Sequence, residues 1–451
     1  MHIINSMDNN YDYIIIGSGP AGYVLASKLG EIEKKVLLIE DKELGGVCLN
    51  NGCIPTKTIL RSSILFENIT KSSDFGIETN GVSLNYLKVL ERKEQVVRRL
   101  RLGVKGLLSK NKVSVISGHA IYKDNSIFVK DISYSYQDLI ICTGSINYVP
   151  NIKGLDNNKF VIDSDTFLNL DKLEDNVVII GGGVIGLEIA GICLGFNKNV
   201  TILEKYSILP LLDEDIKKEY LGTLTKKGLK YYENCNIQEI KENKIYLENL
   251  DVIETNLIIT ACGRIPNLEL AKEAGLETKK GIIVNENYET SIPHIYAIGD
   301  VLGRDMLAYV ATSQAINLFS YFTGKEFNAS TPVPVGIFTS IELSYIGKTE
   351  KELNLENIEY KRFIFPIMVN GKSRCDGETS GLIKILTSIN NKILGVFIIS
   401  SDANELINYF SLIMENNLDI KSISDTLFIH PSKSELIFEI SNFLIERRIN
   451  L

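Results

Sequence analysis

Histidine is scarce: His2, His119, His294 and His430 are the whole supply in 451 residues, so any imidazole acid or base must be one of these four. Basic excess is missing too. The formal net charge is −8 and the pI is near 5.4, which leaves no positive field to release counterions from a phosphate backbone and excludes nucleic acid as a partner. No uninterrupted apolar stretch reaches the ~18 residues of a membrane span. The opening MHIINSMDNN lacks the basic and apolar regions of a signal peptide, so a cytoplasmic chain without membrane association is expected. The seven cysteines (Cys48, Cys53, Cys142, Cys193, Cys235, Cys262 and Cys375) are odd in number and scattered, which excludes a disulfide framework. A composition of 45% apolar and 23% charged residues excludes disorder as the main state. The length exceeds one small module and predicts two to four domains.

What is present is a repeated design. The β-branched run YDYIIIG, Tyr11 to Gly17, passes directly into GSGPAG and then into a helix-period segment, and the next apolar run, KVLLIE, ends on Glu40. This reads as a βαβ unit with glycines at its first turn and an acid closing its second strand. The design recurs as VVII, GGGVIG, LEIAGICLGF and NVTILE, ending on Glu204. Gly17 to Glu40 spans 23 positions, and Gly181 to Glu204 spans 23 as well. One such glycine pattern is weak, but two in strand-to-helix context with equally spaced acids predict two dinucleotide-binding folds. The glycines let backbone approach a pyrophosphate at the helix N-terminus, and the acid accepts from a ribose diol. An acid there repels a 2′-phosphate, so Glu204 favours NAD over NADP.

Between the units, residues 60–110 show polar helical patterning followed by short strand-like pieces, and 205–260 repeat the mixture. From about residue 332, after the proline- and glycine-bearing TPVPVGIF, strands alternate with two late helical patterns and suggest a third kind of domain. GGVCLNNGCIPTK, Gly45 to Lys57, carries Cys48 and Cys53 five residues apart. Five residues of regular helix overshoot the ~7 Å reach of a disulfide, so pairing needs an irregular helix start, which Gly45, Gly46, Gly52 and Pro55 suit. No second close pair follows, so a zinc site is not expected. The pair reads as a redox-active disulfide or as two buried structural cysteines; buried packing is the reading for the other five.

GGVCLNNGCIPTK resembles the active-site signature of the FAD-dependent pyridine nucleotide-disulfide oxidoreductases. CTGS (142–145), GGGVIGLE (181–188), CGRIPN (262–267), YAIGD (296–300) and HPSKSE (430–435) match that family in order, from residue 11 to about 445. Within the family the pattern is most similar to its dihydrolipoamide dehydrogenase branch. The resemblance implies an α/β fold of two Rossmann-like domains, one for FAD and one for NAD, plus a C-terminal α+β dimerisation domain. The implied boundaries are 1–145 (FAD, first part), 146–265 (NAD), 266–331 (FAD and central, second part) and 332–451 (interface).

It assigns Gly17, Gly19, Gly22 and Glu40 to the ADP half of FAD, with Thr143, Gly144 and Asp300 also at that cofactor. Gly181, Gly183, Gly186 and Glu204 are assigned to NAD, with Gly263 of CGRIPN among the cofactor-binding positions. Lys57 and Glu188 are implied as an ion pair beside the flavin. Without the family, Glu188 is an acid in a helix's first turn and Asp300 a turn aspartate. The implied reaction passes electrons from a dithiol through Cys48–Cys53 and FAD to NAD, with His430 as base, oriented by Glu435. His430 is implied to act in the partner subunit's site, so a homodimer is expected.

Three departures stand out: Ile429 precedes His430 where the family usually has a second histidine, GVFIISSDANELIN lacks another, and no lipoyl-type domain precedes residue 11. A lipoyl group is therefore expected on a partner protein of a multienzyme complex. The alternatives are a different disulfide reductase, such as a glutathione-type enzyme, and a subunit whose main role is docking onto a multienzyme core. Glu204 argues against NADPH-using members, and NFLIERRINL lacks the C-terminal cysteines of mercuric or thioredoxin reductases.

Overall fold

The computed structural model describes residues 9–249, 251–326 and 332–447. Most of the opening segment read for a leader, Thr331 and the last four residues lie outside the described residues. Two compact units divide the chain: within the described residues the first takes 9–58, 87–148 and 263–326, and the second takes 59–86, 149–262 and the remainder from 332.

In the first unit, β1 (Asn10–Ile16) pairs in parallel with β2 (Val36–Glu40) on one side and with Ile132–Ile141 on the other. Ser114–Ser117 and Ile295–Ala297 extend the parallel sheet at its two edges. Alternate residues feed opposite faces. Ile14, Ile16, Leu37, Ile39, Leu139 and Ile141 pack on one, and Ile15, Leu38 and Ile140 pack on the other against Leu25, Leu29, Ala311 and Leu318. Burial on both faces is why these strands read as unbroken apolar runs rather than alternating ones. The helix α1 (Pro20–Glu31), started by a proline in its first turn, connects β1 to β2.

The second unit repeats this: β3 (Asn176–Ile180), an almost wholly buried helix Val184–Gly195, and β4 (Asn199–Leu203). β3 and β4 lie in a parallel sheet ordered Lys230–Tyr232, β4, β3, Leu257–Thr260 and Val161–Asp163. The same unit contains an antiparallel sheet ordered Val335–Ile337, Glu342–Gly347, Ile393–Ser400, Leu382–Thr387 and Lys361–Pro366. Helices Ala403–Glu415 and Glu435–Leu444 cover it with an apolar core that includes Ile383, Ile385, Val396, Ile398, Phe410 and Ile437. The two late helical patterns of the sequence are these helices. Lys384 stands mid-strand with its side chain wholly buried, held by Asp213 at 2.9 Å, Asp215 at 2.9 Å and Glu350 at 2.5 Å. No helix among the described residues is long and apolar enough to cross a membrane.

Candidate active site

The two dinucleotide turns match at the level of atoms. Gly17 has φ +99°, and a Cβ there would stand 2.2 Å from the Cys142 carbonyl oxygen; Gly181 has φ +110°, and its Cβ would stand 2.4 Å from that of Ala261. Neither position admits a side chain. Gly22 and Gly186 pack their helices onto the turns, with hypothetical Cβ atoms 1.9 Å and 2.1 Å from the Gly17 and Gly181 carbonyl oxygens. Each terminal acid closes its turn. Glu40 accepts the Ser18 N–H at 2.8 Å and hydroxyl at 2.6 Å, and Glu204 accepts the N–H groups of Gly182 at 2.7 Å and Tyr206 at 2.8 Å. A carboxylate held by backbone donors keeps further lone pairs for a ribose diol.

Segment 43–57 adds the redox chemistry. A short helix, Gly46–Asn51, ends at Gly52, whose φ −146° and ψ −114° break it, and the helix Cys53–Thr70 starts at the next residue. The break folds Cys53 back on Cys48: the Cα atoms are 4.7 Å apart and the two form a disulfide. This is the irregular start that the spacing demanded. The loop is fastened to the first dinucleotide turn, because the Gly45 N–H donates to the Ser18 carbonyl and hydroxyl oxygens, each at 3.1 Å. Among the other cysteines, Cys142 and Cys193 are buried and Cys235 and Cys262 half-buried, but Cys375 is exposed, against the expectation of buried packing for all five. It lies at the C-terminal end of the short helix Gly371–Cys375, whose buried position is Ser373 rather than the cysteine. Burial pushes the Cys262 thiol up to about 11, and the Glu204 charge adds to the shift, which leaves the thiol inert at neutral pH.

Asp300 opens a short 3-10 turn after Gly299. Its carboxylate accepts the Ser145 hydroxyl at 2.8 Å, and the Arg264 Nε donates to the same hydroxyl oxygen at 2.9 Å. Burial raises its pKa, opposed by the Ser145 hydrogen bond and the Arg264 charge. Thr143 donates its hydroxyl to the Asn267 carbonyl at 2.9 Å, and the Asn267 N–H returns a bond to the Gly144 carbonyl at 2.9 Å. Gly263 has φ +98°, and its carbonyl accepts the Tyr148 N–H at 3.0 Å. Ser18, Ser145 and Arg264 are the polar groups that motif reading passed over, although each adjoins a motif glycine or cofactor position.

Lys57 lies in the first unit and Glu188 in the second. Glu188 is not in a first turn: the helix begins at Val184, so it sits in the second turn, buried, and accepts the Phe338 N–H at 3.2 Å. His430 is 80% exposed, and its Nδ1 lies 2.9 Å from a Glu435 carboxylate oxygen. The other Glu435 oxygen accepts the Ser432 N–H at 2.8 Å. An N–H at Nδ1 bonded to carboxylate leaves Nε2 as the proton acceptor. His294 is occupied elsewhere, with Nδ1 2.9 Å from Asp138.

A redox disulfide beside a dinucleotide turn, with a second such fold in the chain, defines a flavoprotein disulfide oxidoreductase. Residues 11–315 match the pyridine nucleotide-disulphide oxidoreductase family and residues 333–440 its dimerisation domain, and the chain belongs to this family. It is 33% identical over 447 residues to dihydrolipoyl dehydrogenase of Mycoplasma genitalium, with 96% of this chain and 98% of that one covered. To dihydrolipoyl dehydrogenase of Bacillus subtilis it is 34% identical over 472 residues, with 96% and 98% covered. Among solved structures, the Cu(II) complex of the HOCl-induced flavoprotein disulfide reductase RclA from Escherichia coli superposes with a TM-score of 0.88 at 27% identity, covering 96% of this chain and 99% of that one. The enzyme is an NAD-dependent flavoprotein whose cofactors are FAD and NAD. The turns fit such groups: a Cβ at Gly19 or Gly183, at the two helix starts, would meet nothing within 4 Å, so the space a pyrophosphate needs is open.

Proposed function

We propose that this chain oxidises dihydrolipoyl groups carried by a protein of a multienzyme complex, of the 2-oxo acid dehydrogenase or glycine cleavage type, and passes the electrons to NAD. The Cys48–Cys53 disulfide, held at a helix break against the first dinucleotide turn, carries this reading. A substrate thiolate attacks the Cys48 sulfur and releases Cys53 as a thiolate; the second substrate thiol then attacks the mixed disulfide, so the substrate leaves as a disulfide and both enzyme sulfurs are reduced. His430 Nε2 takes the substrate proton, and Glu435 stabilises the imidazolium from Nδ1. Bound FAD supplies the two-electron link between this dithiol and NAD.

In this reading Gly17, Gly19, Gly22, Glu40, Thr143, Gly144 and Asp300 serve FAD. Gly181, Gly183, Gly186, Glu204 and Gly263 serve the nucleotides, and Lys57 pairs with Glu188. The chain works as a cytoplasmic homodimer in which His430 serves the partner subunit's disulfide, with domains bounded near 145, 265 and 331. Relatives named dihydrolipoyl dehydrogenase along essentially their full length support the substrate assignment. Steady-state assays of the purified holoenzyme against dihydrolipoamide with NAD, and against glutathione disulfide and thioredoxin with NADH, test it. Dihydrolipoamide should exceed the others in kcat/KM by at least about a hundredfold, or about 2.7 kcal/mol; comparable activity with glutathione disulfide would overturn the assignment.

A further inference from the structure

Asn50 lies between the two redox cysteines, and its amide nitrogen faces three backbone carbonyls of the segment leading into Cys48: Glu43 at 3.3 Å, Leu44 at 3.0 Å and Gly46 at 2.9 Å. Two amide hydrogens thus serve three acceptors. The amide oxygen is engaged as well, by Arg101 from the helix Tyr86–Lys110, whose Nε and Nη2 donate to it at 3.1 Å and 2.8 Å. The third guanidinium nitrogen reaches Glu43 at 3.0 Å, a pair whose acid is 64% exposed and therefore adds little. Gly45 and Gly46 both have positive φ. A Cβ on Gly46 would stand 2.5 Å from Gly19 Cα, so the segment that Asn50 grips presses against the dinucleotide turn.

This brace has a consequence when the disulfide opens. Reduction removes the covalent link between Cys48 and Cys53, and the backbone path between them passes through the helix break at Gly52. Nothing covalent then holds the two sulfurs within bonding reach. The Arg101–Asn50 brace does not depend on the sulfur–sulfur bond. We infer that Arg101 is a positioning residue of the redox loop: it fixes Asn50, and through Asn50 the backbone ahead of Cys48, so that the reduced cysteines stay poised to close again. The inference rests on reading Cys48–Cys53 as the redox centre, and not on which dithiol is the natural substrate.

The test is a thiol–disulfide equilibrium with dithiothreitol. One dithiol gives two electrons and two protons to the enzyme, the Cys48–Cys53 bond breaks, and the reagent closes to its cyclic disulfide. Wild-type holoenzyme, Arg101→Met, Arg101→Lys and Asn50→Ala are equilibrated anaerobically over a range of reduced to oxidised reagent, alkylated, and counted for free thiols at positions 48 and 53 by mass spectrometry.

A loosened loop closes less readily. The midpoint of Arg101→Met and Asn50→Ala should therefore move three- to tenfold toward reduced enzyme, tenfold being about 30 mV. Arg101→Lys, which keeps the charge and one donor, should fall between. Midpoints within twofold of wild type, with only the melting temperature lowered, would make the brace merely structural and overturn the inference. A shift of Arg101→Met toward the disulfide would overturn it too, because it would mean that the guanidinium acts as a charge on the thiolates. Wild-type cysteines that dithiothreitol fails to reduce would instead defeat the redox reading itself.

Discussion

With Glu204 at the nucleotide ribose, as proposed above, its replacement separates charge from hydrogen bonding in the choice of nucleotide. Both carboxylate oxygens are fixed, by the Gly182 N–H at 2.7 Å and the Tyr206 N–H at 2.8 Å, so the side chain cannot swing away from an incoming 2′-phosphate. A phosphate at about 5 Å meets roughly 1–3 kcal/mol of repulsion per unit charge for effective dielectric constants between about 80 and 20. The lower end alone, with a doubly charged phosphate, predicts NAD over NADP by at least about tenfold in kcat/KM, near 1.4 kcal/mol. Glu204→Gln removes the charge and keeps one acceptor, but its amide nitrogen faces one of the two backbone N–H groups, leaving that donor unsatisfied at about 1–3 kcal/mol of local stability. The variant should therefore show a raised KM for NAD, a discrimination reduced to about threefold or less, and a lowered melting temperature. Glu204→Arg should reverse the preference. Steady-state kinetics with both nucleotides measure all of this, and a Glu204→Gln enzyme that discriminates as strongly as wild type would refute the electrostatic argument.

Mixing inactive Cys48→Ser and His430→Gln subunits by unfolding and reassembly gives about half heterodimers, each with one intact site if His430 serves the partner subunit; activity should return to about a quarter of wild type for independent sites in C2 symmetry, and verified heterodimers without activity would remove the shared site. Burial pushes the Glu342 carboxyl up to about 7, with Asp402 and Glu405 adding to the shift and the Asn404 N–H opposing it. The folded state therefore holds this proton more tightly than the unfolded one, and its stabilising contribution is full below about pH 4.5 and lost as pH rises through about 7. Glu342→Gln should be more stable than wild type by up to about 3 kcal/mol near pH 8 and equal to it near pH 4.5 in denaturant titrations; a gain that does not depend on pH would contradict this. Lys384→Met leaves Asp213, Asp215 and Glu350 without their buried cation and should cost about 3–5 kcal/mol of stability. An unchanged melting temperature would show that the cluster is not under electrostatic load.

Glycine turns, buried strands and their closing acids were legible in the sequence because each imposes a local rule: positive φ at Gly17 and Gly181, two-sided burial of β1 and β3, and a fixed run of residues to Glu40 and Glu204. The cysteine pair was legible for a similar reason, since its spacing demanded a broken helix and Gly52 supplies the break. Lys384 and its acids were not, because residues 213, 215, 350 and 384 follow no periodicity and meet only through tertiary packing. Arg101 lies within the polar helical stretch 60–110, where no motif marks it, and only the fold brings it to Asn50. Glu188 was misplaced by a turn because the helix start, not the motif, sets which turn an acid occupies.

Cys48 and Cys53 play unequal parts in the proposed relay. Cys48→Ser, Cys53→Ser and wild-type holoenzymes should be compared for long-wavelength absorbance at neutral pH and for NAD-dependent oxidation of dihydrolipoamide. Wild type should develop the band on reduction and turn over. Cys48→Ser should show it without reductant, because Cys53 remains as a lone thiolate next to oxidised FAD, and Cys53→Ser should lack it; both variants should lose turnover. Full dithiol turnover in either variant would contradict the disulfide relay.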